Sequence, residues 1–292
     1  MKFIFKAFLT VSSGLPLRMT HGIGSLLGLL LMYWPNRLKN TARINLRLCY
    51  PRLSEAERRQ LCRRCLQESG KTLLEIGAMW RLPRETLLGK ITATHGETAF
   101  RQAIAENKGV VVIAPHLGCW ELVGLYVSTL GPMTSLYRPP KYSELDDTYR
   151  RSRQRFGARL VPTHVHGIRQ LYRALAAGEI IGILPDQDAG RHGGLAVPFF
   201  GVPAYTMTLL PRLLQKSAAT AFFVWAERLA AGRGYRLHFI PAHQALYDPD
   251  LKTAVTALNT QLQECINRAP AQYQWTYKRF KTRPPGMPPC YP

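Results

Sequence analysis

Acidic residues are scarce in this chain. Asp and Glu number 18 against 39 Lys and Arg in 292 residues, a formal net charge of +21. A basic excess of this size points to a polyanionic partner, either nucleic acid or an anionic membrane surface with phosphorylated lipid. Internal repeats and low-complexity tracts are absent, and a hydrophobic content of 46% excludes a disordered basic tail. The six cysteines are scattered. Cys62 and Cys65 form a lone CxxC inside a helical stretch with no second Cys or His pair beside it, which argues against zinc and for ordinary packing of free thiols in a reducing compartment. No Gly-x-Ser-x-Gly elbow is present, which disfavours an α/β-hydrolase.

Charge is also missing from one particular place. Met19 to Asn36 contains no Lys, Arg, Asp or Glu, and Phe3 to Leu17 is apolar apart from Lys6 and a few hydroxyls. No Ala-x-Ala cleavage site follows, so a secretory signal peptide is disfavoured. A buried core helix and a membrane anchor both fit. The preferred expectation is an anchor over residues 1–36 that spans the bilayer or lies in its interface. Tyr33-Trp34 ends the run, and Arg37, Lys39, Arg43 and Arg47 follow at once. Aromatics and then cations at a helix end suit the headgroup region, with the basic side cytoplasmic.

Residues 37–95 read as a helical basic segment. Ser54-Glu55-Ala56-Glu57 has capping-box spacing, so a helix starts there and runs to about Trp80, with a break expected near Gly70. From residue 96 helices and strands alternate. Helices are expected at 97–107, 119–130, 144–156, 167–177, 204–218 and 249–268. Strands are expected at 110–114, 133–137, 158–162, 180–184, 221–226 and 235–240. The last two strands, joined by a turn with Gly232 and Gly234, suit an antiparallel edge. The alternation implies an α/β domain over 96–292, with one mostly parallel sheet flanked by helices.

The chain's chemistry centres on Val110-Val111-Val112-Ile113-Ala114-Pro115-His116-Leu117-Gly118-Cys119-Trp120-Glu121. Its uncharged, β-branched start reads as a strand buried on both faces. Pro115 ends it, having no N–H for the ladder. His116 then falls just past the strand's carboxyl edge, where open α/β sheets place their chemistry. Gly118 removes bulk beside it. Glu121, in the first turn of the following helix, is placed to fold back and hold the imidazole in one tautomer. A histidine in such a loop is equally often a structural group.

Four further stretches carry candidates. Arg138, in Tyr137-Arg138-Pro139-Pro140, brings a guanidinium to the same sheet edge, where it either holds phosphate or faces solvent. In the cluster from Arg150 to Arg155, cations favour a helix carboxyl end, and Arg153 or Arg155 is the candidate to turn inward. Arg169, near a helix amino end, adds charge to a positive pole, a placement that makes sense where an anion binds. Asp186 and Asp188 follow another buried strand and fit a metal ligand, an orienter of a base or a turn cap, of which orienting is favoured. Pro198 to Ala204 supplies an apolar wall for core or groove.

His116-Leu117-Gly118-Cys119-Trp120-Glu121 resembles the His-x4-Asp/Glu motif of the glycerolipid acyltransferase superfamily. Its Trp-Glu ending is similar to the branch that adds secondary acyl chains to lipid A, the lauroyl and myristoyl acyltransferases. Other pieces occur in that family's order. They are Asn45-Leu46 with Cys49-Tyr50-Pro51, Tyr137-Arg138-Pro139, Asp186-Gln187, Phe199-Phe200-Gly201 and the closing Arg279-Phe280-Lys281-Thr282-Arg283-Pro284. Cys119 departs from the asparagine common before Trp-Glu. The resemblance implies a glycerolipid acyltransferase-like fold, an acyl carrier protein thioester as co-substrate with no cofactor or metal, and a lipid A precursor as acceptor in lipopolysaccharide biosynthesis. It assigns His116 as general base and Glu121 as its partner, and matches Arg153 and Asp186 to the family's later arginine and acidic positions; these two, with Arg138 and Arg169 from the reading above, are expected to bind substrate. It places the protein on the cytoplasmic face of the cell inner membrane, against anionic lipid, with no nucleic-acid partner expected. An acyltransferase acting on another amphiphile, such as a lysophospholipid, and a basic nucleic-acid-binding protein are the rival readings.

Overall fold

The computed structural model describes residues 2–140 and 143–292, with side chains from Phe5 onward. Two apolar helices, α1 (Lys2–Gly14) and α2 (Leu17–Tyr33), open the chain. Pro16 precedes α2 and separates them. Asn36 then caps α3 (Arg37–Cys49) by accepting from the Lys39 N–H. Ser54 and Glu57 form the anticipated capping box at the start of α4 (Glu55–Arg81). At 27 residues α4 is about 40 Å long. It runs through Gly70 without the expected break. Gly70 serves instead as a contact point, because a Cβ there would fall on the Gly24 carbonyl and one at Gly28 on the Leu66 carbonyl. These glycines let α2 lie against α4 backbone to backbone.

The expectation of a bilayer-spanning anchor is corrected here. Among the described residues no helix is long and apolar enough to cross a membrane. The proline splits the apolar stretch, and α2, with 17 residues, reaches about 26 Å against a hydrocarbon core of about 30 Å. One face of α2, with Leu17, Thr20, His21, Gly24 and Gly28, is buried on the protein. The other leaves Met19, Ile23, Leu26, Leu27, Leu30 and Tyr33 exposed, with Trp34 just beyond. Of residues 1–36, Met1 and the side chains of residues 2–4 lie outside what is described.

Beyond α4 the elements are α5 (Arg84–Leu88), β1 (Ile91–His95), α6 (Glu97–Ala105), β2 (Val110–Ile113), α7 (Trp120–Val127) and β3 (Met133–Tyr137). Then follow α8 (Asp146–Gln154), β4 (Arg159–Pro162), α9 (Val165–Ala176), β5 (Ile180–Ile183), α10 (Gly190–Gly193), β6 (Gly194–Phe199) and β7 (Val202–Met207). The chain closes with α11 (Leu209–Gln215), β8 (Thr220–Arg228), β9 (Tyr235–Pro241) and α12 (Leu251–Arg268). Seven strands form one sheet in the order β1-β9-β8-β2-β5-β3-β4, and β6 and β7 form a separate hairpin. All pairings in the large sheet are parallel except β8 with β9.

The architecture is thus the expected α/β class with a mostly parallel sheet. Three details differ. The antiparallel pair is internal, because β1, within the segment expected to be helical, adds itself beyond β9. The helix expected over 204–218 begins as strand β7. The hairpin it forms with β6 is likewise unanticipated. Alternate β2 residues feed two cores. Val111 and Ile113 pack with α12 residues such as Leu258 and Leu262, while Val110 and Val112 pack with Met79, Trp80 and Leu122.

Candidate active site

His116 follows β2 by three residues and Asp186 follows β5 by three residues. The two strands are parallel neighbours with Ile113 opposite Ile183. The side chains therefore emerge together at the carboxyl edge of the sheet. His116 Nδ1 lies 2.9 Å from Asp186 Oδ1, and the His116 backbone N–H donates to Oδ2 at 2.9 Å. Asp186 is 2% exposed. Burial alone would raise its carboxyl, but the His116 ring and the hydrogen bonds from His116 outweigh that and hold it below its ordinary value. With Nδ1–H given to a carboxylate, the lone pair sits on Nε2, where the Gln187 amide nitrogen stands 3.3 Å away.

The loop that carries His116 is fixed at the backbone. Gly118 has a left-handed φ of 61°, and a Cβ there would fall on the Ala226 carbonyl. No other residue fits both demands. The Gly118 and Cys119 N–H groups donate to Gln272 and Ala226 at 3.1 and 2.8 Å, and the His116 carbonyl accepts from Gln274 at 3.1 Å. Gly118 thus clears space for the β8 backbone rather than for the imidazole.

Glu121 does not hold the histidine. It makes no hydrogen bond or ion pair to His116 among the described residues. It sits one residue into α7, with its carboxylate clasped by Arg153 of α8, Nε to Oε2 at 3.0 Å, and touched by Trp80 Nε1 at 3.4 Å. A buried carboxylate needs a cation, and Arg153 supplies it from the facing helix. Glu121 in turn holds the Arg153 guanidinium above its ordinary value against the opposing effect of burial. The guanidinium lies 5.3 Å from the Trp120 ring, and that ring lies 4.9 Å from the His116 ring. Glu121 is therefore linked to His116 only through Arg153 and Trp120. Of the two inward-turning candidates, Arg155 packs over Phe156 and donates to the Leu82 carbonyl.

These residues surround a cavity of about 600 Å³, a volume typical of small-ligand sites. His116, Gln187, Glu121, Arg138 and Arg153 line it together. Its remaining wall is largely apolar, with Val112, Val123, Leu125, Met133 and Leu160. It follows the sheet face from Tyr137 to Met133, the two ends of β3, roughly 13 Å along the strand. Arg138 is exposed at the rim. Arg169 is exposed on α9 and is not part of the wall. Helix α9 begins two residues earlier than expected, which carries Arg169 away from the helix amino end. Asp186, expected to touch substrate, has both oxygens committed to His116. Asp188 caps its own loop, accepting from Gly190 N–H at 3.1 Å and from the Thr282 hydroxyl at 2.7 Å. Gln187 and Trp80 are the participants that sequence reasoning did not single out. The offset shared by Pro115-His116 and Pro185-Asp186 was the available signal.

The chain is similar in sequence to known proteins over most of their length. The model of the bacterial lipid A biosynthesis acyltransferase family matches residues 1–282. The lipid A biosynthesis palmitoleoyltransferase of Escherichia coli is 32% identical over 270 residues, covering 92% of this chain and 87% of that protein. The lauroyltransferase of the same organism is 29% identical over 278 residues, covering 95% and 90%. A lipid A biosynthesis acyltransferase of Haemophilus influenzae is 26% identical over 280 residues, covering 96% and 87%. With a family match across almost every residue and a histidine lining a largely apolar cavity, the chain belongs to the bacterial lipid A biosynthesis acyltransferase family.

Proposed function

We propose that this protein transfers a fatty acyl chain from an acyl carrier protein thioester to a hydroxyl of a lipid A precursor, with His116 as general base. The observation that carries the reading is the His116–Asp186 pair at the entrance of a cavity whose interior is apolar. A hydroxyl is a poor nucleophile at neutral pH. His116 Nε2 would take its proton as the oxygen attacks the thioester carbonyl, and Asp186 would stabilise the imidazolium. The apolar stretch between β3 and α7 would hold the acyl tail. Glu121 contributes through Arg153, which packs on Trp120, whose ring packs against the imidazole. Arg138 at the rim would meet an acceptor phosphate, and Arg169 belongs to the outer basic surface that would face the acidic carrier protein.

The membrane part of the reading takes an interfacial form. The exposed apolar face of α2 ends in Tyr33 and Trp34, each 75% exposed, and Arg37 and Lys39 follow. A helix with one apolar face and cations beyond it suits the headgroup boundary of an anionic leaflet, here the cytoplasmic side of the inner membrane. The test is mass spectrometry of lipid A from a strain lacking this chain, restored with the wild type or with His116→Ala. The wild type should restore one acyl chain and the variant none. An unchanged acyl pattern in the deletion strain, or restoration by the variant, would overturn the proposal.

A further inference from the structure

Asp186, Gln187 and Asp188 leave β5 as a loop whose two outer carboxylates are tied down. Asp186 is committed to His116. Asp188 accepts from Gly190 and from the N–H and hydroxyl of Thr282, at 3.1, 3.0 and 2.7 Å, while its own N–H donates to the Tyr277 hydroxyl at 3.1 Å. Gln187 is the exposed middle residue of this fixed loop, and its side chain crosses to His116 Nε2 at 3.3 Å. Because Nδ1–H is given to Asp186, Nε2 carries the lone pair and the Gln187 NH₂ group is the donor. That lone pair accepts one hydrogen bond. The acceptor hydroxyl needs the same lone pair, so its arrival releases the amide beside the reacting carbon. Among the other lining donors Arg153 is bound to Glu121, Arg138 is exposed and the buried Tyr137 hydroxyl has no partner among the described residues, but only the Gln187 amide contacts His116 Nε2.

We propose that Gln187 is a catalytic residue that moves its N–H from His116 Nε2 to the thioester carbonyl oxygen as that oxygen becomes an oxyanion. This rests on the reading of His116 as the base. In the step, the hydroxyl proton passes to Nε2, and the C–O bond forms as the carbonyl π electrons move onto oxygen. Gln187 donates to that oxygen. The tetrahedral centre then collapses, the C–S bond breaks, and the thiolate takes the proton back from His116. A donor held by a rigid loop needs no reorganisation at the moment of charge development.

The test compares the full-length wild type with Gln187→Ala, Gln187→Glu and His116→Ala, using an acyl carrier protein thioester and a lipid A precursor. Gln187→Ala should lower kcat by about 10²- to 10³-fold with KM changed less than about threefold. Gln187→Glu keeps the volume, removes the donor and should lose as much. A kcat within twofold of wild type, or recovery in Gln187→Glu, overturns the Gln187 assignment while an inactive His116→Ala leaves the base reading standing. An active His116→Ala overturns both.

Discussion

At the scale of residues, two strand exits share one design. Ile113-Ala114-Pro115-His116 and Ile183-Leu184-Pro185-Asp186 each end a strand with a proline and place a polar residue next. Parallel pairing of Ile113 with Ile183 makes the two polar residues neighbours. Asp186→Asn is expected to keep the fold and lower kcat by about 10²- to 10⁴-fold in the same transferase assay. An amide presents a donor to one of two N–H groups that both need an acceptor, so the ring loses its tautomer. A kcat near wild type would show that the carboxylate is not what orients His116. The place of His116 just past the end of β2 was legible from the sequence, as was an orienting contact from Asp186. The partner assigned to His116 was not. Nearness along the chain favoured Glu121, but the direction of α7 turns that side chain toward α8, and only the strand register brings a carboxylate seventy positions away to the ring.

At the scale of elements, α2, α4 and β8 meet over one buried ionic cluster. Glu75 of α4 accepts from Arg228 Nε at 2.9 and 2.8 Å and from the Tyr235 hydroxyl at 2.9 Å, and lies 2.7 Å from His21 Nε2. Burial would raise the Glu75 carboxyl, but Arg228 and His21 hold it down to about 2. A carboxyl depressed on folding contributes stability that is full above its unfolded value, near 4.5, and is lost as pH falls toward about 2. The lowering corresponds to about 3 kcal/mol, measurable as a fall in denaturant midpoint between pH 5 and pH 2. Arg228→Met should cost about 3–5 kcal/mol at pH 7 by stranding a buried charge, and adding Glu75→Leu should recover part of it. A single variant as stable as wild type would show that the cluster does not hold these elements together.

Little of this was visible beforehand. Capping residues and β-branched runs announce single elements, which is why α4 and the central strands stood out. The glycines of α2 and α4 act only in pairs, and a pair needs the crossing to be known. The β6–β7 hairpin escaped for a related reason. Val202 to Met207 runs directly into Leu209–Gln215, so an apolar stretch that changes from strand to helix at Thr208 reads as one helix.

At the scale of the whole molecule, a positive surface and one exposed apolar helix face share a single chain. Leu26→Glu with Leu30→Glu should weaken binding to vesicles of anionic phospholipid by at least ~100-fold, since each leucine contributes about 1.5–3 kcal/mol when removed from water. Raising salt should weaken the wild type as well. Co-sedimentation checks both, and binding unaffected by the glutamates would remove α2 from the docking surface. Composition made the basic excess legible. It left open whether the apolar run pierces a bilayer, which depends on Pro16 and on the polar inner face of α2.

The same inner face has a practical bearing. His21 reaches Glu75, which holds Arg228 of β8, and two residues before Arg228 the Ala226 carbonyl anchors the Cys119 N–H in the loop that carries His116. Trimming the greasy leader to coax the enzyme out of detergent would therefore unbolt a panel directly behind the chemistry. What looks like a detachable handle is part of the housing.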